Sequence, residues 1–364
     1  MQGKIGGVKR RTLYFTAPRQ VELREESLPP LGANEVLVET ICSAISAGTE
    51  MLIYQDRFPR DTSTALSASL ETDSVISALR GAFKYPLAYG YACVGIVRKT
   101  GEKVDKSWRD KSVFSFQPHT SHFISKTDSL LPVPESLFEA ACFLPNMETA
   151  VNLVQDGAPI LGERVLVLGQ GVVGLLTTSL LKEFPLENLV TADCYELRRK
   201  ASRDIGVTRS YDPNDLATNE TTDESRDDKV KKIDQIGYTQ GKFDLTFELT
   251  GSPTALNDAI ASTSFSGRIV IGSWYGEKRA GIDLGGAFHR SRIKLISSQV
   301  STIAPELSGR WDKRRRFEVA WEALKRIQPQ KWVTHRIPIT EAEKAYQLLD
   351  ENPQETIQVI LEYR

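Results

Sequence analysis

Six consecutive positions carry the strongest chemical signal in the chain: Gly169, Gln170, Gly171, Val172, Val173 and Gly174 fit G-x-G-x-x-G. The pattern gains meaning from a strand before it and a helix after it. Arg164-Val-Leu-Val-Leu-Gly169 reads as a strand buried on both faces, and 172–184 reads as a helix. In that setting the first glycine permits a tight turn and the second lets the backbone approach a pyrophosphate. The third lets the helix pack closely on the sheet. The helix N-terminus adds N–H groups and the positive end of a dipole. A dinucleotide-binding turn is therefore expected. Asp193 ends the next expected strand, roughly 20 positions further on, where an acidic residue bonds the ribose hydroxyls of NAD and repels the 2′-phosphate of NADP. Arg198 and Arg199 follow and can reach such a phosphate, so NAD is favoured and NADP stays open. Thr250-Gly251 and Gly272-Ser273 fall at the carboxyl ends of two later strands, the edge at which open α/β sheets bind ligands. They are expected to border the nicotinamide half of the cofactor.

These residues need a scaffold, and the hydrophobic pattern supplies one. Strands are expected at 164–169, 189–193, 243–249, 268–273 and 294–300, with helices at 172–184, 195–205 and 253–262. Such alternation builds a doubly wound parallel sheet. The N-terminal third differs. Short strands at 12–15, 35–40, 95–99 and 112–116 alternate apolar and polar residues between Gly and Pro breaks. The stretch 57–85 reads as polar and partly helical, and 214–235 as a solvated insertion. The basic run Asp312-Lys-Arg-Arg-Arg316 reads as a solvated helix start.

Bulk properties exclude several functions. The 364 residues suit two domains, and 40% are hydrophobic, enough for a packed interior. The 46 Lys and Arg are balanced by 47 Asp and Glu, so no basic field draws nucleic acid or an anionic membrane. No stretch approaches the roughly 20 apolar residues of a membrane span, and the polar start lacks the apolar core of a secretion signal. A cytoplasmic protein with a small-molecule substrate is expected. Cys42, Cys93, Cys142 and Cys194 are widely spaced and suit buried apolar positions better than a zinc knuckle or a disulfide framework.

At this point a family resemblance emerges. Gly162-Glu-Arg-Val-Leu-Val-Leu-Gly-Gln-Gly-Val-Val-Gly174 resembles the coenzyme-domain entrance of medium-chain dehydrogenases/reductases, the zinc-type alcohol dehydrogenase-like proteins. The segments starting at Phe243, Thr334 and Leu28 resemble their fourth coenzyme strand, C-terminal segment and N-terminal strand region. The resemblance implies an α/β chain with a GroES-like, β-rich catalytic domain at 1–155, completed by 300–364, around a Rossmann NAD(P)-binding domain at 156–299. It also implies a homodimer or homotetramer. Ser43-Ala-Ile-Ser-Ala-Gly-Thr-Glu50 and Leu144-Pro-Asn-Met-Glu-Thr-Ala150 further resemble bacteriochlorophyllide dehydrogenases, which oxidise a hydroxyethyl group on a chlorin ring.

The departures from that family bear on chemistry. Where its zinc-dependent members carry a Cys ligand, a Gly-His-Glu motif and a third ligand, this chain aligns Ser46, Gly90-Tyr91-Ala92 and Pro145. Catalytic zinc needs three ligands among Cys, His and carboxylate, so no zinc is expected. The family's lobe of four close cysteines is also missing from the sequence. Without a metal, a side chain must exchange the hydroxyl proton. The resemblance places Tyr91, Glu50, Glu148 and His119 in the cleft, with Ser46 at the former ligand position. Tyr91 and Glu50 form the favoured pair. His119 and His122 also have a spacing that suits a metal. The leading expectation is interconversion of a secondary alcohol and a ketone on a polar, cyclic or sugar-like substrate. Two alternatives remain: NADPH-dependent reduction of an enone- or quinone-type double bond, and a catalytically inactive dinucleotide-binding protein.

Overall fold

A computed structural model describes residues 9–59, 84–216 and 242–363. Most of the 57–85 stretch and of the 214–235 insertion lies outside the described residues. By internal contacts the chain forms two units, Met1–Pro145 with Gln328–Arg364, and Asn146–Ile327.

The first unit starts as antiparallel β-structure. Strand β1 (Lys9–Ala17) pairs with β2 (Gln20–Ser27), with Leu13 opposite Leu23. Strand β3 (Glu35–Ala44) has Val36, Leu37 and Val38 buried in succession, so both of its faces are covered there. Helix α1 (Ala47–Tyr54) follows. Short β4 (Leu87–Ala88) pairs with β1, and β5 (Cys93–Thr100) lies against β3. Strands β6 (Ser112–Ser115), β7 (His122–Lys126) and β8 (Leu131–Pro132) extend the larger sheet.

Helix α2 (Leu144–Gly157) leads into strand β9 (Arg164–Leu168), whose Val165, Leu166 and Val167 are fully buried. Helix α3 (Val172–Leu181), strand β10 (Asn188–Ala192), helix α4 (Glu196–Ile205) and strand β11 (Arg209–Tyr211) follow. Beyond the undescribed stretch come β12 (Phe243–Glu248), α5 (Ala255–Ser262), β13 (Thr263–Ile271) and β14 (Lys294–Ser297). The six strands lie in the order β11-β10-β9-β12-β13-β14, and every neighbouring pair is parallel. This is the doubly wound order of a Rossmann sheet, with its switch point between β9 and β12. The glycine turn after β9 and the Thr250-Gly251 turn after β12 therefore stand side by side.

Helix α6 (Lys313–Ile327) starts in the basic run as expected, with Arg314 and Arg315 exposed, and departs from the solvated reading at Arg316. Its buried positions are Arg316, Ala320, Ala323, Leu324 and Ile327, an inward stripe at helical spacing. Arg316 lies on that stripe and is fully buried. It bonds Glu148 and Asn152 of α2 and the carbonyls of Val300 and Thr302. These contacts tie 300–327 to the second unit, so the division falls at 145/146 and 327/328, whereas the sequence reading draws it at 155/156 and 299/300.

The chain then returns to the first unit. Strand β15 (Val333–Pro338), helix α7 (Ala342–Glu351) and strand β16 (Gln358–Glu362) complete the sheet β15-β16-β3-β5-β6-β8, with β7 beside β3. Its main core joins Leu13, Phe15, Ile53, Tyr54, Tyr346 and Leu361. Among the described residues no helix is long and apolar enough to cross a membrane.

Candidate active site

The second unit carries the expected nucleotide turn. Gly169 has φ +89°, and a Cβ there would stand 2.6 Å from the Leu249 carbonyl oxygen. A Cβ on Gly174 would come within 2.0 Å of the Gly169 oxygen, so only hydrogen fits between turn and helix. Gly171, just before α3, is open: its notional Cβ meets nothing nearer than the Arg198 guanidinium at 4.0 Å. The backbone is thus bare where a pyrophosphate would approach, at a helix start whose first N–H groups have no intrahelical acceptor. Val172 and Val173 keep partial exposure beside it. Gln170 does not point outward. Its side chain is buried, donating to the Gly169 oxygen at 3.1 Å and accepting from Thr178 at 3.1 Å, and only its backbone faces the turn.

Asp193 sits immediately beyond β10. Its carboxylate accepts from Gln170 N at 2.7 Å and Tyr195 N at 2.9 Å, which ties the strand end to the glycine turn. Each carboxylate oxygen has a second lone pair for a ribose hydroxyl. Arg198 stacks on the Tyr195 ring, 4.8 Å from its centroid. Arg199 is held by Asp212 at 2.7 Å and by the Asp193 carbonyl at 2.7 Å.

At the ends of β12 and β13 a buried acid organises the neighbouring turns. Glu248 accepts from Thr250 N at 2.9 Å, Thr250 Oγ1 at 2.5 Å and Tyr275 OH at 2.5 Å. Burial, then this contact, pushes the Tyr275 phenol well above its usual range. Gly251 N donates to Ser273 Oγ at 2.8 Å, and a Cβ on Gly272 would meet Leu153 and Leu249 at 2.6 Å. Neither Glu248 nor Tyr275 is foreseen from sequence. An acid inside the apolar run 243–249 was the available signal.

The first unit brings most of the proton-handling candidates together. Tyr91, just before β5, donates its phenol hydrogen to Ser46 Oγ, just before α1. Burial raises the Tyr91 phenol, and its bonds to Ser46 and Thr49 offset part of that rise. Both residues keep partial exposure. Beneath them, Glu50 and His119 are fully buried. Glu50 Oε1 accepts from Ser46 N at 2.8 Å, while Oε2 accepts from Tyr346 OH at 2.5 Å and lies 3.0 Å from His119 Nε2. His119 Nδ1 is 2.6 Å from Ser43 Oγ, which is 2.8 Å from Tyr363 OH. Glu50 and His119 therefore sit behind the hydroxyl pair, out of a substrate's reach. Ser43, Tyr346 and Tyr363 join the cluster without a local motif to announce them.

Glu148 is not in this cluster. It is buried in the second unit, where its Oε1 accepts from Arg316 Nε at 3.0 Å and Nη2 at 2.7 Å. His122 lies on β7 and meets Ser121 at 3.1 Å, with burial lowering its imidazole pKa. Among the described residues no group of three or more His, Cys, Asp or Glu is arranged to hold a metal ion. Cys42, Cys93 and Cys142 are buried, and Cys194 is exposed, unlike the apolar burial expected of it.

No protein-family model matches the chain. It is 23% identical over 354 residues to an L-threonine 3-dehydrogenase of Stenotrophomonas maltophilia, covering 92% of this chain and 94% of that one. Among solved structures it superposes on 2R,3R-butanediol dehydrogenase from Bacillus subtilis with a TM-score of 0.72 at 17% identity, over 98% of this chain and 100% of that one. A short chain alcohol dehydrogenase from Escherichia coli CFT073, solved with NADH, gives a TM-score of 0.71 at 18% identity with the same coverage. The chain is an oxidoreductase similar to that L-threonine 3-dehydrogenase over nearly its whole length, and it shares the fold of these alcohol dehydrogenases, a GroES-like unit and a Rossmann unit.

Proposed function

We propose that the enzyme interconverts a secondary alcohol and a ketone with a nicotinamide dinucleotide, NAD in preference to NADP, and that Tyr91 with Ser46 takes the place of catalytic zinc. The observation that carries this reading is the hydrogen bond from the Tyr91 phenol to Ser46 Oγ. Two positions that align with zinc ligands hold hydroxyls bonded to each other. The donor set does not fit zinc: a serine hydroxyl, a phenol that burial keeps protonated, and Pro145, which has no side-chain donor.

When bound, the nicotinamide supplies the hydride for ketone reduction and accepts it in alcohol oxidation. Tyr91 gives its proton to the developing alkoxide in reduction and recovers one afterwards. Ser46 fixes the phenol's direction by accepting its hydrogen in the resting state. The raised pKa keeps the phenol in its protonated form at neutral pH, the form that ketone reduction requires. The bare backbone at Gly171 and the carboxylate of Asp193 support dinucleotide binding, with Asp193 opposing a 2′-phosphate.

A direct test combines calorimetric titration with NADH and NADPH and a screen of secondary alcohols and ketones, L-threonine and 2R,3R-butanediol included. Metal analysis of the active preparation accompanies it. Turnover with stoichiometric zinc, or no binding of either cofactor, overturns the reading. The Arg198 guanidinium beside Gly171 favours a second reading, NADPH-linked reduction of an activated carbon–carbon double bond. Turnover of an enone with NADPH, and none of any alcohol, would select it.

A further inference from the structure

We propose that Glu50 and His119 are positioning residues that hold the two ends of the Tyr91–Ser46 hydrogen bond in place. The inference deepens, and rests on, the reading of that hydroxyl pair as the proton-handling group.

The grip on Ser46 is direct. Glu50 Oε1 accepts the Ser46 backbone N–H at 2.8 Å, across the first turn of α1. The carboxylate therefore fixes where the serine backbone stands. The grip on Tyr91 runs through its predecessor. Gly90 has φ +133°, and a Cβ there would lie 2.9 Å from His119 Cδ2 and 3.0 Å from Nε2. The imidazole thus packs closely against the bend that delivers Tyr91. His119 N also donates to the Tyr89 carbonyl at 3.2 Å. The two holders then hold each other, His119 Nε2 to Glu50 Oε2 at 3.0 Å. Outer contacts lock both: Tyr346 OH donates to Glu50 at 2.5 Å, and Ser43 Oγ lies 2.6 Å from His119 Nδ1.

Both side chains are fully buried, so neither can meet a substrate. Burying such polar groups is costly unless every partner is satisfied, and a satisfied network fixes one geometry. Reacting groups need that precision, since about 1 Å of misplacement costs roughly 100-fold in rate. Geometry rather than charge should therefore be the property that matters. Gln in place of Glu50 keeps an oxygen for Ser46 N and offers an NH₂ that donates to His119, in its other tautomer, and to the Tyr346 hydroxyl oxygen, which then accepts where it donated before. Asp is too short to span Ser46 and His119 together.

The test uses full-length protein carrying ¹³C at tyrosine Cζ. Tyr91→Phe identifies the Tyr91 resonance by its loss, and Ser46→Ala gives its position without the partner hydroxyl. Glu50→Asp, His119→Ala and His119→Asn are expected to move the signal toward the Ser46→Ala position, with Glu50→Gln remaining near wild type. The Tyr14 signal, from a phenol bonded to Glu26, should stay fixed throughout. An unmoved Tyr91 signal in folded Glu50→Asp overturns the proposal. So does a Glu50→Gln shift as large as that of Glu50→Asp, which would report charge and not grip. Activity separates the two inferences: if the signals move as expected while Tyr91→Phe keeps its full rate on the substrate found in the screen, the grip stands and the proton role falls.

Discussion

Arg316 of α6 reaches Glu148 of α2 with two donors, Nε at 3.0 Å and Nη2 at 2.7 Å, and both side chains are buried. The same guanidinium caps the Thr302 carbonyl at 3.0 Å and Asn152 Oδ1 at 2.6 Å. Removing one partner strands the other charge in the interior. Arg316→Met is therefore expected to cost about 3–5 kcal/mol in urea unfolding, and the double variant Arg316→Met/Glu148→Leu less than that. Unchanged stability with a large loss of kcat in Glu148→Gln would return Glu148 to the catalytic candidates.

The glycine turn makes two opposite predictions. Gly174→Ala places a methyl group 2.0 Å from the Gly169 oxygen and should destabilise the fold measurably. Gly171→Ala meets nothing closer than 4.0 Å and should fold normally. Its methyl occupies the approach of the pyrophosphate, so NADH affinity is expected to fall at least about tenfold, or about 1.4 kcal/mol, in fluorescence titration. Equal NADH affinity in folded Gly171→Ala would place the dinucleotide elsewhere.

Asp193→Asn keeps an acceptor for the Gln170 or Tyr195 N–H while removing the charge that opposes a 2′-phosphate. The ratio of NADP to NAD dissociation constants should fall by about tenfold, roughly 1.4 kcal/mol. A constant ratio shows that another group sets cofactor choice.

The pH dependence follows from the Tyr91 phenol. Burial raises its pKa above the ordinary value of about 10, and the bonds to Ser46 and Thr49 only partly oppose that. The phenol is then protonated across neutral pH and loses its proton only in alkali. Ketone reduction should accordingly carry no falling limb from this group until the pH exceeds about 10. The alkaline limb should vanish in Tyr91→Phe, together with about 100- to 10,000-fold of the rate. A limb that survives the substitution belongs to a different group.

Much of the second unit is legible because its signals are local. Arg164–Leu168 is apolar without interruption, and Gly169 to Gly174 follows at once, so strand, turn and helix announce each other. The proton cluster is legible only in part. Tyr91, Glu50 and His119 stand out as polar residues on family-like segments, yet their roles depend on who faces whom. Ser43, Tyr346 and Tyr363 reach them from β3, α7 and the end of the chain, and such separations leave no short pattern. Arg316 shows a further limit. Within a run of four cations, composition suggests water, and only the helical phase of α6 turns one of them inward.

Three of the four thiols are shielded, and Cys194 alone lies open, one residue beyond Asp193. The wild-type protein thus carries its own unique attachment point beside the proposed ribose-binding carboxylate. Partial desolvation of the sulfur at the strand end, and then the Asp193 charge, raises that thiol, so alkylation should be sluggish at neutral pH and quicken in mild alkali. A fluorophore coupled there would sense an arriving dinucleotide without any engineered cysteine.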